Sequence, residues 1–280
     1  MNPSIKLTCL TFSLAFSCLS SSAQLSGLGK GRINSKTIGA VQNGAKALAF
    51  SNADAMKLSK EGVVWMDAHN PVGAAADPYA IRLEKVFGKH KNQDGLALNY
   101  KVYKVKDISA FACADGSVRV FSSLMDILTD DEILAVVGHE IGHVRNEDTK
   151  NAIKAAYMRA ALTDAASSQS VALRQSNDGE PGVFTENFLG AKHSFKQESE
   201  ADAYSYDFLK KHNRNVIGAY SVFKKLALLS AGAETTKSEN MMSSHPNSEA
   251  RAAEGKTRAE KDGVWKDPGI ISLPNTRLTS

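Results

Sequence analysis

The amino-acid sequence predicts an α+β fold that is mainly helical, with a small β-sheet beside one central helix. Three observations predict it. Residues 98–106 alternate in the manner of a strand, and residues 109–113 and 117–121 form a predicted hairpin about Ala114-Asp115-Gly116. The segment 129–144 has the signals of a capped, buried helix. Apolar residues recur at helical spacing on both sides of these elements, within 41–88, at 215–230 and at 248–261.

The central helix is predicted to begin after Thr129. Thr129 and Glu132 occupy the N-cap and N3 positions of a capping box, and acidic residues in the first turn suit the positive end of the helix dipole. Apolar residues then cover most of the helix surface: Ile133, Leu134, Val136, Val137, Ile141 and Val144. Such a helix is expected to be buried on most sides, so every polar group on it needs a partner.

This helix contains the run His139-Glu140-Ile141-Gly142-His143. Two histidines four residues apart share one face of a helix and can ligate one Zn²⁺ ion per subunit. Glu140 lies around the helix from them and is placed to act as general base on the attacking water. The alternative is a helix in which the pattern arises by accident, and a third ligand would decide between the two.

Two glycines, Gly138 and Gly142, lie inside the predicted helix. Each is about 1 kcal/mol less favourable there than alanine. One interpretation is that small residues let a neighbouring element pack closely. The other is that a strand or a substrate runs close past the metal.

The third ligand is not supplied by the same helix. Asn146 and Thr149 stand where an extended metzincin motif requires glycine and histidine, so that reading fails. Glu198 and Asp202 share one face of a second predicted helix. Glu198 can complete the zinc site, and Asp202 can accept the second ring N–H of His139. The alternative is a solvated acidic helix face.

Two parts of the sequence resemble one protein family. Residues 136–144, Val-Val-Gly-His-Glu-Ile-Gly-His-Val, and residues 197–202, Gln-Glu-Ser-Glu-Ala-Asp, are similar to the gluzincin metalloproteases that include HtpX, the CAAX prenyl proteases and BepA, in particular to periplasmic members of the LoiP type. The resemblance extends over residues 75–262 and includes Ser244-His245-Pro246. The sequence differs from the family at Ser109-Ala110-Phe111, where the family often has Asn-Ala-Phe. The resemblance therefore does not predict the detailed shape of the edge that binds substrate.

The resemblance implies a mainly helical, minigluzincin-like zinc metalloprotease fold in which Glu198 is a zinc ligand. It implies that His245 approaches the metal, where it either blocks the open coordination position or stabilises the oxyanion. Arg251 would orient the site. A strand at 118–121, just ahead of the central helix, would bind an extended peptide by main-chain hydrogen bonds, with an ordinary sheet edge as the alternative.

The composition is that of an ordinary globular protein. The 280 residues are 42% hydrophobic and 23% charged, enough for one sizeable core. The formal net charge is +4 and there is no dense basic run. The sequence therefore predicts no nucleic-acid binding, but it is compatible with peripheral contact with an anionic membrane surface.

The N-terminus predicts export. Lys6 precedes a short apolar run at 7–19, and Ser21-Ser22-Ala23 has the small residues of a signal-peptidase site. We expect cleavage after Ala23 and a periplasmic mature protein, with a lipoprotein anchored through Cys18 as the alternative. Cleavage after Ala23 would leave Cys113 as the one cysteine, so no intramolecular disulfide could form, and Cys113 is expected to be a small core residue.

The predicted organisation is a signal peptide at 1–23, a flexible linker at 24–40, a metalloprotease domain at 41–262 with an insertion at 149–192, and a C-terminal tail at 263–280. The insertion can serve as a lid, a membrane contact or a dimer element. Four further histidines lack ligand-like spacing and are expected at the surface: His69, His90, His193 and His212.

These features predict a zinc-dependent endopeptidase of the bacterial cell envelope that hydrolyses extended or misfolded polypeptides. Outer-membrane proteins or their assembly machinery are the expected partners. The main alternative is a non-hydrolytic, zinc-bound chaperone or assembly factor whose site is closed by His245 or by the insertion. A third reading, a structural metal site in a binding module, predicts a closed fourth coordination position and loss of the fold on chelation.

Overall fold

The computed structural model describes residues 41–166 (except 43 and 46), 193–231 and 245–274. The predicted leader, the predicted linker and most of the predicted insertion lie outside the described residues. After a helical stretch within 41–49, the described α-helices are α1 (Asn52–His69), α2 (Pro78–Phe87), α3 (Ser122–Ile127), α4 (Asp130–Arg145), α5 (Asp148–Ala166), α6 (Phe195–Lys211), α7 (Ile217–Ala231) and α8 (Ser248–Lys261). A short 3-10 turn, Gly88–His90, follows α2.

The described strands form two small sheets. β1 (Asn92–Gln93) and β2 (Leu96–Ala97) pair antiparallel. β3 (Asn99–Tyr103), β4 (Ala110–Ala112) and β5 (Ser117–Phe121) form a sheet in the order β3–β5–β4, with β3 and β5 parallel and β4 and β5 antiparallel. The α+β class is confirmed, and so are the predicted strand and the hairpin that follows it.

The strand that was expected to bind peptide, β5, lies in the middle of its sheet. β3 pairs along one side of β5 and β4 pairs along the other, so the residues 118–121 offer no open ladder to a further strand. The prediction for this strand is therefore wrong. The hydrophobic pattern marked 118–121 as a strand, but only the pairing of neighbours could show that it is internal.

β4 is an edge strand, and it packs against α4. Phe121 N–H donates to the carbonyl of Ser109 at 3.0 Å, so Ser109 and Phe121 are a hydrogen-bonded pair of the antiparallel ladder between β4 and β5. Because hydrogen-bonded positions alternate along an antiparallel ladder, the main-chain groups of Ala110 and Ala112 point to the opposite, open side. Among the described residues, the open edge of the sheet beside the central helix is therefore β4.

The central helix α4 begins as the sequence predicts. Thr129 is its N-cap, Glu132 Oε2 accepts from the Thr129 amide at 2.7 Å, and both bonds of the capping box are present. Glu132 also accepts hydrogen bonds from Ser221 and Lys225 of α7, at 2.6 and 2.7 Å, so the cap joins the two helices. Every residue of 132–143 is buried, which confirms the prediction of a helix covered on most sides.

The main hydrophobic core surrounds α4. Helices α2, α6 and α7 and strand β4 all contact it, and α8 packs on α7. Ile133, Val137 and Ile141 are completely buried, and each side chain of this size contributes about 1.5–3 kcal/mol on burial. The helix that carries the histidines is therefore held from several sides. Among the described residues, no helix is both long and apolar enough to cross a membrane.

A smaller core cluster lies between α1 and the three-stranded sheet and contains Cys113, a buried free cysteine as predicted. Next to it is an ion pair between a buried arginine and a half-buried aspartate. Arg119 of β5 is 2% exposed and donates two hydrogen bonds to Asp67 of α1, at 2.8 and 2.9 Å. Tyr103 and Lys101 of β3 also donate to Asp67, each at 2.7 Å. These bonds attach α1 to the sheet.

Candidate metal centre

Three side chains from two helices meet in the interior. His139 and His143 of α4 have their Nε2 atoms 3.0 Å apart. Glu198 of α6 has one carboxylate oxygen 3.4 Å from His143 Nε2 and the other 3.6 Å from His139 Nε2. Each of the three residues is at most 4% exposed. The structure thus brings together the two histidines and the glutamate that the sequence analysis named.

The spacing of these atoms fits a zinc ion. Donor atoms about 2.1 Å from a tetrahedral centre are about 3.4 Å from one another. The separations of 3.0, 3.4 and 3.6 Å lie on both sides of that value. Imidazole nitrogen and carboxylate oxygen are also donor types that zinc accepts. His139, His143 and Glu198, together with His245, can therefore hold a metal ion.

Two glycines allow α6 to come close enough for this convergence. A Cβ added to Gly138 would lie 3.1 Å from the ring of Phe208, and one added to Gly142 would lie 3.0 Å from Cα of Ala201. Both contacts are with α6, so the close-packing interpretation holds and the strand or substrate interpretation does not. The close approach of α6 carries Glu198 to the histidines.

Both histidines are held from behind by carboxylates. His139 Nδ1 lies 2.8 Å from Asp202 Oδ1, and His143 Nδ1 donates to Asp148 Oδ2 at 2.8 Å. With the proton on Nδ1, each Nε2 has a free lone pair for a metal. Asp202 lies where the sequence analysis expected it. Asp148 was missed, because the chain turns at Glu147, with φ 59°, and no helical spacing relates Asp148 to His143.

His245 lies at the fourth corner of the ligand group. Its Nδ1 atom is 3.0 Å from Glu198 Oε1 and 3.2 Å from His139 Nε2, and the residue is 9% exposed. Both distances are in the range expected between two ligands of one zinc ion. His245 therefore lies close enough to the other three side chains to be a ligand of the same ion.

The pKa values of two carboxyl groups in the site are shifted in opposite directions. Burial alone would raise the pKa of Glu198, but hydrogen bonds with His143 and His245 hold that pKa well below its usual range, so Glu198 is ionised. Burial raises the pKa of Glu140, partly offset by the charges of His245 and His143. Glu140 Oε1 is buried without a hydrogen-bond partner among the described residues. Such a carboxyl is suited to accept a proton and return it.

Arg251 of α8 lies behind the ligand group and is 2% exposed. Its guanidinium forms an ion pair with Glu198 at 2.7 Å and donates a hydrogen bond to Asp202 at 2.6 Å. Its guanidinium carbon also lies 4.0 Å from the ring centroid of Phe223 on α7. Because one side chain contacts both carboxylates, Arg251 restrains their orientation relative to each other.

Of the surface positions predicted for the other histidines, that of His90 is wrong, and His193 and His212 are half-buried. His90 is buried, with 7% exposure. His193, just before α6, stacks on His143 with ring centroids 3.9 Å apart, and together with His143 and Asp148 it forms a second group that can hold a metal. Spacing along the chain indicates neither the burial of His90 nor the stacking of His193, since both arise from packing between separate elements. His69 is exposed, as predicted.

Comparisons with known proteins agree with this site. Residues 82–259 match the profile of peptidase family M48. Metalloprotease YcaL of Escherichia coli (strain K12) is 39% identical over 211 residues, which cover 75% of this chain and 82% of that protein. Metalloprotease LoiP of the same strain is 35% identical over 235 residues, which cover 82% of this chain and 92% of that protein. The chain therefore belongs to peptidase family M48 and is a zinc metalloendopeptidase.

Proposed function

We propose that this metalloendopeptidase acts in the bacterial cell envelope, where it hydrolyses peptide bonds in extended or misfolded proteins with His139, His143 and Glu198 as zinc ligands. One observation carries the catalytic part of the proposal. Beside this ligand group lies Glu140, a buried carboxyl with an oxygen that has no hydrogen-bond partner among the described residues. A purely structural metal site has no use for such a group.

Each residue of the site has a defined task in this proposal. Zinc, when bound, supplies the Lewis acidity that activates water and polarises the scissile carbonyl. Glu140 takes a proton from the attacking water and passes it to the leaving amine. Asp202 holds the ring of His139, and Asp148 holds that of His143, so that both Nε2 atoms stay directed at one point.

The open edge of β4 supports an extended polypeptide as substrate. Ala110 and Ala112 direct their main-chain groups away from β5, on a strand that packs against the helix of His139 and His143. A peptide added to such an edge is recognised mainly through its main chain, with little demand on its sequence. Unfolded outer-membrane proteins, or components of their assembly machinery, fit this description.

The leader supports the envelope location. The apolar run at 7–19, the small residues before Gln24 and the mild positive charge fit a periplasmic protein with peripheral contact with an anionic membrane surface. N-terminal sequencing of the mature protein tests this directly. A first residue of Gln24 supports cleavage after Ala23, a lipid-modified Cys18 supports the lipoprotein alternative, and an intact leader contradicts both predicted cleavage sites.

The position of His245 supports a closed resting state. With its Nδ1 atom 3.0 Å from Glu198 and 3.2 Å from His139, this side chain takes the place that water needs. His245 must therefore move away before peptide hydrolysis. This same observation favours the second candidate, a zinc-bound chaperone or assembly factor that binds envelope proteins without cleaving them, if His245 never moves.

Replacing His245 by alanine is expected to raise kcat/KM while zinc content stays at the wild-type level. If the open state is populated at about 1–10%, removing the blocking ring gives about a 10- to 100-fold increase. The measurement is the rate of cleavage of an unfolded protein, with His69→Ala, an exposed histidine on α1, as control. A loss of about 10²–10³-fold would instead show that His245 stabilises the oxyanion.

The proposed activity is tested by digestion of casein and of an unfolded outer-membrane protein, with and without a chelator. We expect fragments that disappear on chelation and return when zinc is added. Client binding that is insensitive to chelation, without fragments from the wild-type protein or from His245→Ala, would favour the chaperone. Collapse of the fold on chelation would favour a structural metal site.

A further inference from the structure

The amide side chain of Gln197 makes hydrogen bonds in two directions. Its Oε1 atom accepts from the amide and the hydroxyl of Ser194, each at 2.9 Å, and closes the capping box at the start of α6. Its Nε2 atom donates to Asp148 Oδ1 at 2.8 Å. The first direction is an ordinary helix cap. The second leads to a different helix, α5, and capping does not need it.

Asp148 is the first residue of α5 and is 3% exposed. Its two carboxylate oxygens have different partners. Oδ1 accepts from Gln197 Nε2, and Oδ2 accepts from His143 Nδ1 at 2.8 Å. A buried carboxylate is stable only when its oxygens are satisfied, so losing one donor disturbs the bond made by the other oxygen.

These contacts make a continuous path between two ligand-bearing segments. His143 of α4 is bound to Asp148, Asp148 is bound to Gln197, and Gln197 is followed in the chain by Glu198. The packing of Gly138 and Gly142 on α6 brings the helices together, but it does not set the rotation of the His143 ring. The path through Asp148 does.

We propose that Gln197 is a positioning residue for the metal centre, which couples the start of α6 to the ring of His143 through Asp148. The inference rests on the proposed ligation of zinc by His143 and Glu198. By holding Asp148, Gln197 fixes the direction of His143 Nε2 relative to the carboxylate of Glu198. Its loss therefore weakens zinc binding, although Gln197 itself is not a ligand.

Gln197→Glu separates this role from helix capping. Glutamate keeps the oxygen that accepts from Ser194, since glutamate and glutamine serve equally in a capping box. It removes the N–H donor and places a second carboxylate against Asp148. The zinc Kd, measured by competition with a chelating dye, is expected to rise about 10- to 100-fold, as for other groups that orient metal ligands.

Three further variants complete the test. Glu200→Gln, on the same helix with a side chain that is 50% exposed, should bind zinc like the wild type. Gln197→Met removes the donor without adding charge, and should also weaken zinc binding. In the double variant Gln197→Glu with Asp148→Asn, the hydrogen bond is restored with donor and acceptor exchanged, so zinc binding should recover relative to Gln197→Glu alone. A simple capping role would give no such recovery.

The outcomes distinguish this inference from the proposed ligation. Thermal melting of each metal-free variant shows whether it is folded. If Gln197→Glu is not folded, the zinc affinity of Gln197→Met tests the positioning role instead. Wild-type zinc affinity in a folded Gln197→Glu or Gln197→Met, or no recovery in the double variant, overturns the positioning role. If His143→Ala also keeps wild-type zinc affinity, the ligand assignment fails instead.

Discussion

Replacing Glu140 by glutamine is expected to abolish peptide hydrolysis while zinc stays bound. The amide has nearly the same size as the carboxylate, but it cannot accept the proton of the attacking water. Loss of a general base lowers kcat by about 10²–10⁴-fold. Zinc should remain, because the ligand group consists of His139, His143 and Glu198, with His245 beside them. The measurements are zinc content by elemental analysis and the rate of cleavage of an unfolded protein substrate.

The control for this variant is Glu200→Gln, a carboxylate-to-amide change at a half-exposed position of α6. It should leave both zinc content and cleavage rate unchanged. Cleavage by Glu140→Gln at the wild-type rate would remove Glu140 from the role of base. Loss of zinc from Glu140→Gln would show instead that Glu140 takes part in metal binding.

Replacing Asp67 by alanine is expected to destabilise the fold by about 3–5 kcal/mol, the usual effect of leaving a buried charge without its partner. Arg119 is 2% exposed and would remain buried without its carboxylate. Tyr103 and Lys101 would lose the same acceptor. Urea unfolding of the two proteins at neutral pH gives the difference in free energy of unfolding.

The effect of Asp67→Ala should depend on pH. Burial alone would raise the pKa of Asp67, but hydrogen bonds from Arg119, Lys101 and Tyr103 lower that pKa to about 2. The pKa in the unfolded chain is about 3.9. Because the folded-state pKa is the lower one, ionised Asp67 stabilises the fold fully above that value, and the contribution disappears as the pH falls towards 2.

The control for this prediction is Lys101→Ala, which removes a partly exposed member of the same cluster. The side chain of Lys101 is 41% exposed, so its ion pair with Asp67 is screened by solvent and should contribute less than about 1 kcal/mol. An equal loss of stability in the two variants would contradict the argument from burial. So would a difference between wild type and Asp67→Ala that stays constant from pH 5 to about pH 2.

Local patterns in the sequence predicted the central helix correctly. The capping box of Thr129 and Glu132, the apolar run behind it and the four-residue spacing of His139 and His143 all act within one or two turns. Their effect depends on neighbours that are close along the chain, so it can be predicted without a fold. The hairpin before the helix was predictable for the same reason.

The tertiary structure corrected expectations that depend on neighbours distant in sequence. The sequence of β5 alternates as a strand does, but this pattern does not show which strands pair with it. Its place between β3 and β4 is visible only in the structure. His193 has no ligand-like spacing, but it stacks on His143. Asp148 is bound to both His143 and Gln197 because α5 and α6 begin next to each other.

The sequence by itself determined which groups the site contains: two histidines and a glutamate on one capped helix, and a second glutamate on another helix. The role of Glu140 as base and the export of the protein stay predictions. The tertiary structure decided how those groups are arranged. His245 and His139 are 106 residues apart in the chain, and their rings nevertheless come within hydrogen-bonding distance at the fourth corner of the ligand group. Spacing along one helix fixes the relative direction of two side chains because the helical backbone between them is rigid. Between separate helices the arrangement depends on packing and hydrogen bonds: the packing of α6 on Gly138 and Gly142 brings Glu198 to the histidines, and the bond to Asp148 orients the ring of His143.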